Sequence, residues 1–169
     1  MKYTFLVIIA TSVLIGGCAL TDRPSSTNTD TATPIVTEPV TEPAAENTLD
    51  LSNQNLEKIP ESVFTKTNIE ALNVSYNKLT GAIQGEIRKL YNLRVLDASN
   101  NQMTGVPAEI GQLANLEVLD LSHNSLTGLP NELGNLKKLK VLNLYGNNYS
   151  EADLDGIIKQ LPTDVTIVK

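Results

Sequence analysis

From Leu49 onward, apolar and polar positions recur on a fixed period. The segments Leu49-Asp50-Leu51, Leu72-Asn73-Val74, Leu96-Asp97-Ala98, Leu119-Asp120-Leu121 and Leu142-Asn143-Leu144 begin 23, 24, 23 and 23 residues apart. A further 23 residues lands on Val165, which opens Val165-Thr166-Ile167. Each triplet alternates apolar, polar, apolar, as a short strand does when one face is buried. Three residues after the first five triplets stand Gln54, Asn77, Asn101, Asn124 and Asn147. Two further on stand Leu56, Leu79, Met103, Leu126 and Tyr149.

Repetition at this period predicts stacked units, none of which can bury its apolar face alone. Each unit contributes one strand, and the strands lie parallel about 4.8 Å apart. Leu119 and Leu121 point inward, while Val118, Asp120 and Ser122 point outward, by strand alternation. The asparagine column Asn77, Asn101, Asn124 and Asn147 is expected to bury its amides at the turn leaving each strand, where backbone groups lack strand partners. Pro60, Pro107 and Pro130 set off short helical or 3₁₀ turns on the return path. Gln54 breaks the asparagine column and Lys66 breaks a Leu90, Leu113, Leu136 column, which marks the first unit as a cap. Ser150 with Asp153 predicts an N-capped helix that buries Leu154, Ile157, Ile158 and Leu161.

Residues 116–126, LEVLDLSHNSL, match L-x-x-L-x-L-x-x-N-x-L at every fixed position. Residues 48–169 therefore resemble the leucine-rich repeat family. The resemblance implies an α/β repeat solenoid: a short arc with a parallel sheet on the concave face and helical or 3₁₀ turns on the convex face. The tails Val106-Pro107 and Leu129-Pro130, followed by Ile110 and Leu133, resemble bacterial repeats. Leu79-Thr80-Gly81-Ala82-Ile83 carries one extra residue and resembles the plant-type variant. Cysteine-rich caps, frequent in eukaryotic extracellular repeats, are missing, which favours a bacterial source.

The N-terminus has a different pattern. Lys2 precedes an apolar stretch running from Phe5 to Ile15, then Gly16-Gly17 and Cys18, the layout of a secretory signal. Ile15-Gly16-Gly17-Cys18 resembles the bacterial lipobox, which implies a signal peptide over residues 1–17, cleavage before Cys18 and acylation (palmitate among the chains) of the cysteine. An uncleaved transmembrane anchor is the alternative for Tyr3 to Leu20, though Thr11, Ser12 and the glycines dilute it. With Ala19 after the cysteine, the resemblance implies outer-membrane delivery in a Gram-negative cell. Residues 18–47 then form a tether rich in Thr, Pro and Glu, in which five acidic side chains face the single Arg23. Such a composition stays solvated and extended.

Composition narrows the chemistry. One cysteine builds neither an intrachain disulfide nor a cysteine zinc site. A net charge of −6 with no basic run argues against nucleic acid. No phosphate-binding loop, dinucleotide fingerprint, zinc-protease or serine-hydrolase motif occurs, so we expect no enzyme, no cofactor and no metal. The lone His123 sits at a variable repeat position, shared with Asn53, Tyr76, Asn100 and Gly146.

Surface is what the pattern offers. The concave face should show Ala71, Val95, Val118 and Val141 as an apolar row beside the ladder Asp50, Asn73, Asp97, Asp120, Asn143. Glu70, Arg94, Glu117 and Lys140 flank it on one side, and Tyr76, His123 and Tyr145 lie toward the strands' C-terminal edge. Aromatics on a rigid scaffold are the usual binding anchors. The expected function is a lipid-anchored, monomeric module of the cell envelope. It binds an unidentified protein or peptide through Tyr76, Val95, Asp97, Val118, Asp120, His123, Val141 and Tyr145, with the two aspartates favouring a basic or amide-rich ligand. The alternative is a passive structural or spacer lipoprotein with no dedicated ligand.

Overall fold

The computed structural model describes residues 47–169. The expectations for the signal segment, Cys18 and the tether through Glu46 concern residues outside that range. Six three-residue strands form one parallel sheet in the order β1 (Thr48–Asp50), β2 (Ala71–Asn73), β4 (Val95–Asp97), β6 (Val118–Asp120), β7 (Val141–Asn143) and β8 (Thr166–Val168). Between them, β3 (Thr80–Gly81) and β5 (Gln102–Met103) make a second, two-stranded parallel sheet. Opposite the large sheet run four 3₁₀ helices, Glu61–Thr65, Gly85–Lys89, Ala108–Gln112 and Asn131–Asn135. Pro60, Pro107 and Pro130 precede three of them, and Gln84 precedes the other. This is the repeat solenoid that the periodicity predicts.

Register follows the leucine column: Leu49, Leu72, Leu96, Leu119 and Leu142 pair in sequence. Leu96, Leu119, Leu121, Leu142 and Leu144 have no solvent exposure. Burying each is worth about 1.5–3 kcal/mol against leaving it in water. The last strand departs from the 23-residue spacing, because Leu142 pairs with Ile167, 25 residues on. The final unit holds an eight-residue α-helix, α1 (Glu151–Ile158), where inner units hold five-residue 3₁₀ helices. That longer return delays the strand, so Val165 precedes it instead of opening it.

Both ends are finished by specific contacts. Ser150 caps α1 by accepting from the Asp153 N–H, and Leu154, Ile157 and Leu161 are buried. Ile158, expected on that buried face, is 40% exposed, although Ile157 before it and Leu161 after it are buried: at the last position of α1 its side chain turns to solvent. Lys169 pairs with Glu151 at 3.1 Å and holds the C-terminus to the helix. At the other end, the Asn47 carbonyl accepts from the Glu70 and Ala71 N–H groups and its amide reaches Glu70, so the sheet is engaged from Asn47 onward.

On the convex side one glycine is required by packing. A Cβ at Gly111 would lie 2.2 Å from the Glu132 carbonyl oxygen, so only glycine lets these two 3₁₀ helices close on each other.

Candidate functional site

The concave face is five columns wide, and each column does different work. At the rim where the strands begin, Arg94 lies 3.5 Å from Glu70 and 2.8 Å from Glu117, and Lys140 lies 2.6 Å from Glu117. Acid and base alternate from repeat to repeat. Hydrogen bonds from Lys140, then from Arg94, hold the Glu117 carboxyl below its ordinary range, and Glu117 raises Arg94 in turn. This rim is electrically self-contained. Two polar steps missing from the sequence reading lie just before it. Asn92 and Asn115 donate to the Thr67 and Tyr91 carbonyls at 2.9 and 3.0 Å, and Lys138 donates to Asn115. Their own 23-residue recurrence was the available signal.

Next comes the apolar row. Val95, Val118 and Val141 stand in register, Val95 the most exposed at 37% and the other two half-buried. Beside them Asp50, Asn73, Asp97, Asp120 and Asn143 also stand in register. Most of that column's polar capacity is already used. Each Oδ1 accepts from the backbone N–H two residues on, at Ser52, Ser75, Ser99, Ser122 or Tyr145, and so bends the chain out of the strand. Asp120 is further saturated: its Oδ1 also takes the Ser122 hydroxyl and its Oδ2 takes the Asn143 amide at 2.9 Å. Asp50 and Asp97 are different. In each, Oδ1 is engaged by the serine two residues on, and among the described residues Oδ2 has no partner.

The rim where the strands end is made by the following turn. Asn53, Tyr76, Asn100, His123 and Gly146 all have positive φ, between 52° and 74°. The fold imposes this on whichever residue stands there, because the column's N–H groups bond the next repeat's carbonyls, as Tyr76 does to Ser99 and His123 to Tyr145. Asparagine, histidine and glycine accept such a conformation readily, while a bulky tyrosine does not. Yet Tyr76 is 60% exposed and Tyr145, one column inward, is 53% exposed. The His123 ring meets Tyr145 edge to face, centroids 5.3 Å apart, and a Cβ at Gly146 would lie 2.9 Å from its Nδ1. Glycine at 146 therefore serves both the turn and the histidine. His123 and Tyr145 are brought together; Tyr76 stands two repeats away from His123, about 10 Å by strand spacing.

Below the rim lies the asparagine column. Asn124 Oδ1 accepts from the Met103 N–H, and its Nδ2 donates to the carbonyls of Ala98, Leu121 and Ser122 at 3.0–3.2 Å. Asn77, Asn101 and Asn147 do the same one repeat apart. These amides are structural joints between repeats.

The sequence profile described as a leucine-rich repeat region matches residues 77–161, and a second, described as a leucine rich repeat, matches 47–103. The chain belongs to the leucine-rich repeat family. A leucine-rich repeat protein of Leptospira interrogans superposes with a TM-score of 0.62 at 37% identity, over 66% of this chain and 28% of that one. The plant peptide hormone receptor RGFR1, solved in complex with RGF2, superposes at 0.56 with 26% identity, over 66% and 18% respectively. Receptor-like protein CLAVATA2 of Arabidopsis thaliana is 45% identical over 58 residues, 34% of this chain and 8% of its own length. This repeat protein thus spans under a third of each of these relatives. Leucine-rich repeat domains are typically non-enzymatic and mediate protein–protein interaction.

Proposed function

We propose that this repeat protein is a lipid-anchored module of the bacterial cell envelope that binds a protein or peptide partner on its concave face. The anchor rests on the resemblance of Ile15-Gly16-Gly17-Cys18 to a lipobox. One acyl chain binds a membrane marginally and two or three bind it stably. Mass spectrometry of the mature protein tests this: an unmodified Cys18 overturns it.

The binding half rests on one observation. Tyr76 occupies a left-handed turn position that suits asparagine, histidine or glycine, yet its ring stays exposed, and further along the same rim His123 and Tyr145 form an exposed aromatic pair. Burial does not account for them, and strained residues of this kind gather at functional sites. The RGFR1–RGF2 complex supports the reading, since a similar arc there belongs to a peptide hormone receptor. Photo-crosslinking in intact cells is the test. A crosslinker at position 145 should capture a defined partner that one at the convex position 131 does not. Equal capture at both positions, or none, favours the alternative of a passive envelope spacer.

A further inference from the structure

Residues 47–169 carry eleven basic and fourteen acidic side chains, a net charge of −3. The three concave-column aspartates, Asp50, Asp97 and Asp120, equal that excess, and the rest of the domain is balanced. On the neighbouring rim Glu70, Arg94, Glu117 and Lys140 cancel one another in direct ion pairs. The aspartate column itself contains no basic side chain, so it presents uncompensated negative charge on the concave face. That face also carries the exposed Tyr76 one repeat before Asp97 and Tyr145 two repeats after it, and Asp97, like Asp50, has an oxygen to spare.

We infer, resting on the concave-face reading above, that the occupant is an extended, basic peptide segment, with an arginine or lysine seated at Asp97 and neighbouring residues of the segment running past the Tyr76 and Tyr145 rings. A carboxylate oxygen free to accept and exposed aromatic faces are the two features that recognise a guanidinium or ammonium group. Six strands about 4.8 Å apart span roughly 24 Å, the length of about seven extended residues. The chain's own tether is a poor occupant, because residues 19–47 carry a net charge of −4 and are repelled by the same face. Asp120, both oxygens engaged, supplies field more than contact.

Fluorescence anisotropy on the purified full chain at physiological salt tests the assignment. The probes are a labelled octapeptide alternating arginine with serine, and the same peptide with citrulline for arginine. The arginine peptide should bind at least about tenfold tighter. Asp97→Asn and Tyr145→Ser should each weaken it at least about fivefold, in line with the loss of an interface anchor. Both variants use residues already found in their columns, Asn73 and Asn143 for one and Ser122 for the other, so folding is preserved. Glu61→Gln on the convex face should leave binding unchanged. No binding of the arginine peptide, equal binding of the citrulline peptide, or an equal loss from Glu61→Gln overturns the inference. So does self-association that the peptide fails to displace. A crosslinked partner that contacts position 145 without a basic segment overturns this inference alone and leaves the binding function standing.

Discussion

The two rims of the concave sheet are built from the same repeat and spend their side chains in opposite ways. Where the strands begin, Arg94 and Lys140 each lie within 2.8 Å of Glu117 between them, so each charge answers its neighbour. Where the strands end, Tyr76 accepts an unfavourable backbone, and both Tyr76 and His123 leave their rings in solvent. One rim stabilises the stack and offers a partner nothing net. The other accepts a stability cost to present groups to solvent. A repeat scaffold separates these jobs because its joints, the asparagine column and the leucines, are satisfied independently of what either rim displays.

The largest effect on both rims comes from beneath them. Leu119→Ala, in the central repeat, should cost about 2–5 kcal/mol and, through nearest-neighbour coupling, melt both rims together. Coincident thermal melts of wild type and variant would show that the stack does not depend on this column. Next in size is Asn124→Ala. It leaves the Met103 N–H and three carbonyls without their partner, at about 1–3 kcal/mol for each group that stays buried and unsatisfied. Urea unfolding should detect it, and a wild-type midpoint would mean that water replaces the amide.

Smaller effects separate the rims. Tyr76→Asn installs the residue found at positions 53 and 100 of the same column, and should raise stability by up to about 1 kcal/mol by relieving the left-handed tyrosine. A decrease instead would mean that the ring packs productively. Least of all, Glu117→Gln should lower the melting temperature slightly at neutral pH and not at all in acid. The Glu117 carboxyl is held low in the fold, so its contribution is complete above the unfolded value of about 4.3 and fades as pH falls through the lower folded value. High salt should shrink the same difference, because the groups are exposed. A pH-independent difference would mean that the side chain acts by shape, not charge.

Much of this protein was legible in the sequence because a repeat writes its core as a period. The leucine column, the parallel register of the first five strands, the asparagine joints and the 3₁₀ turns after Pro60, Pro107 and Pro130 follow from spacing and strand alternation alone. The membership of the concave columns follows too, since alternation fixes which residues share a face. What the period did not carry was decided in three dimensions. The last strand shifted by two residues because a helix replaced a turn, and Ile158, at the end of that helix, turned to solvent between the buried Ile157 and Leu161. Asp97 and Asp120 look identical as letters in a column. Each has an asparagine beside it in register, yet Asn143 donates across to Asp120 while Asn73 makes no such bond to Asp97, which leaves one aspartate saturated and the other open. Likewise, Tyr76 reads from the sequence as an exposed anchor, and only the hydrogen bond to the next repeat shows the left-handed backbone that it must adopt. Hydrophobic burial is periodic and local in its code, whereas the availability of a polar or aromatic group depends on what adjacent repeats present to it.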